Sequence, residues 1–188
     1  MNILVKQKAL FLDRDGVVNV NHGYVSARAE FDWVDGIWEL LRRVAKLDYK
    51  VVVVTNQSGI GRGYYSESDF LNLSEWMCQK ISAQGGTIHG VYYCPHHPTK
   101  AHGPYLRECH CRKPKPGMLL NAAKALNIDL RHSIMIGDKL SDMLAAESAG
   151  LANAYLFRNN EAPSTTLDVL RRIAIPVSSI QSFTDVKL

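Results

Sequence analysis

Lys8-Ala9-Leu10-Phe11-Leu12 is followed without a break by Asp13-Arg14-Asp15-Gly16. The first five residues form a short apolar run and read as a strand; the next four put two carboxylates and a glycine at its carboxyl end. The rest of the chain repeats that layout. Val51–Thr55 is a continuous β-branched run, as expected for a strand buried on both faces. Gly90–Tyr93, Ser133–Ile136 and Asn153–Phe157 are further strands. Between them lie helical patterns. Ile37–Leu47 carries Ile37, Leu40, Leu41, Val44 and Ala45 at helical spacing, with Asp35 as a candidate cap. Ser66-Glu67-Ser68-Asp69 resembles an acidic capping box and opens a helix whose face carries Phe70, Leu73, Trp76, Met77 and Ile81. Pro116 suits the first turn of a helix running to about Leu126; Asp142–Ala149 is a helix closed by Gly150, and 164–173 a final one. Strands alternating with helices specify an α/β fold with a mainly parallel sheet, whose site lies beyond the carboxyl ends of the strands.

At 188 residues the chain is expected to be one domain over 1–188. With 46% hydrophobic and 21% charged residues, long disorder is excluded. No apolar run approaches the roughly 20 residues of a membrane span, and Met1–Lys8 shows no secretory pattern, so a cytoplasmic protein without membrane contact is expected. The net charge of +4 is too mild to argue for nucleic acid, and no basic stripe interleaved with aromatics occurs. No heptad seam is present, which leaves a monomer as the expectation.

Four polar clusters fall at predicted strand ends. Asp13 can attack phosphorus if a divalent cation screens its charge, and Asp15, two residues on, can protonate the leaving oxygen. Thr55-Asn56-Gln57-Ser58 offers a hydroxyl and backbone N–H groups to phosphoryl oxygens. Arg112-Lys113-Pro114 supplies a compact cation and a planar fork for a second anion. Gly137-Asp138-Lys139 can complete a magnesium site with Asp13, Lys139 can bridge the carboxylates, and Asp142 either positions a metal-bound water or caps its helix.

Three of the four cysteines and four of the seven histidines fall within residues 94–111. Cys94-x-His96, twelve residues, then Cys109-x-Cys111 makes two close ligand pairs that suit tetrahedral zinc with no open position. His97 is the main rival of His96, with His102 and His110 behind it; Cys78 reads as helix packing. A long loop with little apolar material gains its order from such a metal.

With these clusters in place, the chain resembles the haloacid dehalogenase superfamily of phosphohydrolases. Asp13-x-Asp15, Thr55, Lys113 and Gly137-Asp138-x-x-x-Asp142 match its four motifs in order and spacing, over roughly residues 8–157. Tyr93-Cys94-Pro95-His96-His97-Pro98 with Cys109-x-Cys111-Arg112-Lys113-Pro114 is similar to the heptose bisphosphate phosphatases and the related histidinol-phosphate phosphatases. His22-Gly23-Tyr24-Val25, the run from Thr55 to Gly63, Gly137-Asp138-Lys139-x-x-Asp142-Met143 and the twelve-residue spacing favour the heptose branch; Asn21, where that branch often carries an acid, departs from it.

The resemblance implies a Rossmann-like three-layer sandwich of the capless type, since only 57 residues separate Thr55 from Lys113 and a strand, a helix and the zinc loop fill them. It implies Asp13 as nucleophile, Asp15 as proton donor, and Thr55 and Lys113 at the phosphoryl oxygens. Catalytic magnesium would be held by Asp13, Asp138 and the backbone carbonyl of Asp15, and structural zinc by Cys94, His96, Cys109 and Cys111. Substrate contacts are expected from Asn21, His22, Gly23, Tyr24, Asn56, Gln57, Ser58, Arg62, Lys139 and Arg112, the last for the unreacted phosphate. The implied substrate is a phosphorylated sugar, with histidinol phosphate as the alternative.

Overall fold

The structure, a computed structural model, describes residues 6–158 and 170–188. Six strands, β1 (Lys8–Leu12), β2 (Tyr49–Asn56), β3 (Gly90–Cys94), β4 (Ile134–Gly137), β5 (Asn153–Phe157) and β6 (Val177–Ile180), form one sheet in the order β3-β2-β1-β4-β5-β6. Every pairing is parallel. Leu10 lies in register between Val51 and Ile134, and Leu12 between Val53 and Ile136.

Alternation along the strands divides the core in two. Leu10, Leu12, Val51, Val53, Ile134 and Ile136 face α1 (Ile37–Ala45) and α3 (Glu67–Ala83), meeting Ile37, Leu40, Leu41, Val44, Leu73, Met77 and Ile81. Ala9, Phe11, Val52, Val54 and Met135 face α4 (Gly117–Leu126) and α5 (Leu140–Ala149), meeting Met118, Leu119, Ala122, Met143, Ala145 and Ala146. Because successive residues point to opposite faces, a strand covered by helices on both sides must be apolar throughout, which is why β1 and β2 carry no polar alternation. The result is the expected three-layer α/β sandwich.

The acidic capping box is present. Ser66 Oγ accepts from Asp69 N at 3.0 Å, and Asp69 Oδ2 accepts from Ser66 N at 2.9 Å. Other boundaries differ. The cap of α1 is Gly36 at φ +79°, not Asp35, so a left-handed backbone residue rather than a side chain starts the helix. α5 begins two residues earlier than its apolar pattern, which places Asp142 inside its first turn. Two elements had no clear signal: the four-residue α2 (Ser58–Gly61), and the edge strand β6, whose Ser178 and Ser179 hide a strand that pairs on one side only. The helix expected over 164–173 falls largely outside the described residues; Leu170–Ile173 is a turn closed by Ile173 N to Leu170 O at 3.2 Å.

Candidate active site

The strand order reverses direction at β1, with β2 on one side and β4 on the other, and a crevice opens at the carboxyl ends of a parallel sheet at such a switch point. Asp13 follows β1, its N–H extending the ladder to Ile136 O at 3.0 Å. Thr55 is the last but one residue of β2 and Asp138 follows β4, while Lys113 reaches in ahead of α4.

Lys113 is buried and its ammonium has three partners: Asp13 Oδ1 at 3.0 Å, Asp142 Oδ1 at 2.6 Å and Val54 O at 2.8 Å. Burial opposes its charge, but Asp13 and Asp142 outweigh that and hold the lysine above its ordinary pKa. In return, and again against burial, Lys113 and Lys139 keep Asp13 below the usual carboxylate range. Asp13 Oδ1 also accepts from Arg14 N at 2.7 Å, and no partner for Oδ2 is found among the described residues. Of the two purposes weighed for Asp142, the cap is seen, Oδ2 accepting from Lys139 N at 3.0 Å at the helix start, while Oδ1 pairs with Lys113.

Asp13, Asp138 and Asp142 each offer an oxygen within 4.8 Å of the others. Asp138 Oδ1 is buried without a hydrogen-bond partner, and burial with the nearby Asp13 charge pushes this carboxyl up to about 7. A buried carboxylate oxygen with no donor, beside a second carboxylate, is the donor set a hard divalent cation takes. Gly16, at φ +97°, turns the chain here, and any side chain on it would collide with the Asp138 carboxylate. The residues present therefore fit magnesium.

Asp15 is held by donors. Oδ1 accepts from Arg14 Nη2 at 2.9 Å, Arg14 Nε at 3.2 Å and Asn19 Nδ2 at 3.1 Å, and Oδ2 from Gln57 Nε2 at 3.0 Å. Arg14, 1% exposed, also donates to Val25 O at 2.7 Å, tying the carboxylate to the 21–25 loop. Sequence reading missed Arg14, Asn19 and Tyr65. An arginine between two catalytic-type carboxylates carries a signal of its own, because its charge must be matched somewhere if the turn is buried; Tyr65, next to an exposed Tyr64, carries none.

The remaining candidates divide. Asn56 grips the Lys113 peptide in both directions, Nδ2 to O at 3.1 Å and Oδ1 from N at 3.0 Å, so it positions the lysine. Gln57 is buried among Asp15, Thr55 and Tyr65, and Ser58 opens α2. On the rim, Asn21 Oδ1 accepts from Gly23 N at 3.1 Å and His22 pairs with Asp32 at 2.8 Å. Tyr24, left-handed at φ +55°, meets Tyr64 edge-on at 4.7 Å, with the Arg62 guanidinium 5.6 Å from its ring centre. Lys139 Nζ lies 3.4 Å from Asp138 Oδ2. Arg112 donates to His96 O at 3.1 Å and lines a recess with Arg107 and Lys115.

A second cluster stands at the end of β3. Cys94 Sγ lies 3.1 Å from Cys111 Sγ, 3.5 Å from Cys109 Sγ and 3.6 Å from His96 Nδ1. Tetrahedral ligation at about 2.3 Å per sulfur spaces ligand atoms at nearly this distance. His97 stands apart, its Nδ1 accepting from Thr99 N at 3.2 Å and Lys100 N at 3.1 Å, so His96 is the histidine of the cluster. These four residues could hold a metal ion.

Comparison with known proteins places these observations. A HAD-hydrolase-like family model matches residues 110–174. The D-glycero-beta-D-manno-heptose-1,7-bisphosphate 7-phosphatase of Pasteurella multocida is 50% identical over 82% of this chain and 84% of its own. The protein of the same name from Escherichia coli K12 is 46% identical over 81% and 80%. Among solved structures, the D,D-heptose 1,7-bisphosphate phosphatase of B. bronchiseptica, complexed with magnesium and phosphate, aligns with a TM-score of 0.76 at 30% identity, covering 94% of this chain and 93% of that one.

Proposed function

The chain belongs to the D-glycero-beta-D-manno-heptose-1,7-bisphosphate 7-phosphatase family of HAD-like hydrolases, and from that membership we infer that it removes the 7-phosphate of this sugar bisphosphate. The reaction belongs to the synthesis of nucleotide-activated heptose, and the relatives' names favour the beta anomer. The observation that carries the reading is the geometry of Asp13, anchored by Lys113 and Arg14 N through one oxygen with the other left to a substrate.

Asp13 Oδ2 forms the bond to phosphorus while the bond to the sugar oxygen breaks, and Asp15 gives that oxygen its proton. In the second half, Asp15 takes a proton from water as the water's oxygen displaces phosphate from Asp13. Lys113 keeps Asp13 ionised and aimed, and the Thr55 hydroxyl donates to a phosphoryl oxygen. Asp13, Asp138 and the Asp15 carbonyl would hold magnesium, which supplies charge neutralisation for the phosphoryl oxygens. Arg112, with Arg107 and Lys115 in the same recess, takes the phosphate that does not react. Cys94, His96, Cys109 and Cys111 would hold a structural zinc. The domain is a single unit over 1–188, acting as a monomer in the cytoplasm; no described helix is long and apolar enough to cross a membrane.

Phosphate release with magnesium from the beta anomer, the alpha anomer and histidinol phosphate, at equal concentrations, tests this. The beta anomer is expected to turn over fastest, and Asp13→Asn to lower its rate at least about a thousandfold. Preferred hydrolysis of histidinol phosphate would overturn the substrate, and an active Asp13→Asn the mechanism.

A further inference from the structure

Gln57 connects two groups of the reaction and a third outside it. The Gln57 amide nitrogen donates to Asp15 Oδ2 at 3.0 Å. Its second hydrogen goes to Thr55 Oγ1 at 2.8 Å. The carboxamide oxygen then points away from both, and there the Tyr65 hydroxyl donates to it at 2.5 Å. Because Thr55 Oγ1 accepts from Gln57, its own hydrogen remains free to be donated elsewhere.

A carboxamide is nearly symmetric in shape. If it flipped, its carbonyl would face the Asp15 carboxylate and the Thr55 hydroxyl would turn inward to donate to it. In the orientation seen, the Tyr65 hydroxyl, which burial pushes up to about 12 so that it keeps its hydrogen, donates to the carbonyl and favours this orientation. The tyrosine ring lies so close to Gly59 that any side chain there would overlap it.

We propose that Tyr65 is a positioning residue for phosphoryl transfer: through the Gln57 carboxamide it orients Asp15 and turns the Thr55 O–H toward the phosphoryl group. This rests on the reading of Asp15 as proton donor. Tyr65→Phe removes the hydroxyl alone, and Gly59→Ala displaces the ring while keeping the hydroxyl.

The test compares kcat/KM, which reports the first half-reaction, for the heptose bisphosphate and for p-nitrophenyl phosphate, whose leaving group needs no proton. Both variants are expected to lose about tenfold on the sugar ester and clearly less on the nitrophenyl ester. Adding Tyr65→Phe to Gln57→Ala should cause no further loss, because the two act in one chain of hydrogen bonds. Full activity of Tyr65→Phe on the sugar ester, an equal loss on both esters, or additive losses would overturn the proposal. Asp15→Asn separates the two failures. If it retains kcat/KM on the sugar ester, the reading of Asp15 itself is wrong and this proposal falls with it. If it is inactive and Tyr65→Phe is not impaired, only the role of Tyr65 is overturned.

Discussion

Lys113 donates to Val54 O and forms ion pairs with Asp13 and Asp142, so the charge of this buried cation is balanced before any substrate arrives. Its contribution is therefore to the nucleophile, held ionised and fixed in orientation, as well as to the field at the phosphoryl group. Asp142 completes that arrangement from the opposite side, with no exposed surface of its own. Removing one member of a buried ion pair leaves the other uncompensated, which costs about 3–5 kcal/mol. Asp142→Ala is accordingly expected to destabilise the fold by about 3 kcal/mol in chemical denaturation, whether or not it also lowers activity. A loss under about 1 kcal/mol would mean that Asp13 alone balances the lysine.

At the level of elements, β2 and β3 are joined beyond their ladder by His89, just ahead of β3. His89 N donates to Val51 O at 2.8 Å, and Val51 N donates to the ring Nδ1 at 3.0 Å, so the imidazole takes the place of a strand carbonyl. That nitrogen must be unprotonated to accept. Burial and the Lys50 charge hold the histidine below its ordinary value of 6.5. The unfolded chain therefore binds a proton here at a higher pH than the folded one does. The contribution is fully present above about pH 6.5 and is lost as pH falls from there through the lower folded value. Urea midpoints of the native chain and of His89→Gln, compared at pH 7.5 and 5.5, should converge in acid. An unchanged gap between them would show that His89 does not titrate on unfolding.

For the molecule as a whole, two metal-type clusters stand at the same end of the sheet but on different strands, with different chemistry. Asp13, Asp138 and Asp142 place carboxylates where a phosphate dianion must arrive, and a divalent cation would offset that repulsion. The Cys94, His96, Cys109 and Cys111 set holds the loop that carries Arg107 and leads into Arg112. The proposed magnesium and the proposed zinc should separate in experiment. Chelating magnesium is expected to abolish turnover with little change in the melting temperature, and magnesium alone should restore it. Stripping zinc with a thiol reagent is expected to lower the melting temperature by several degrees, and magnesium should not reverse that. Equal thermal effects would assign both sites the same role. By itself the sequence determined the layers, because strands covered on both faces must be continuously apolar and amphipathic helices must lie between them. It also located the carboxylate motifs at the strand ends and the Cys/His loop, since such motifs are local and keep their spacing. Only the tertiary structure decided which groups meet across the crevice: Lys113 with Asp142, Arg14 around Asp15, Asn56 on the Lys113 peptide, His96 rather than His97, and Tyr65 behind Gln57. Those contacts join residues brought together by parallel crossovers, and whether a side chain's donors and acceptors are satisfied is a property of the packed neighbourhood, which no local pattern records.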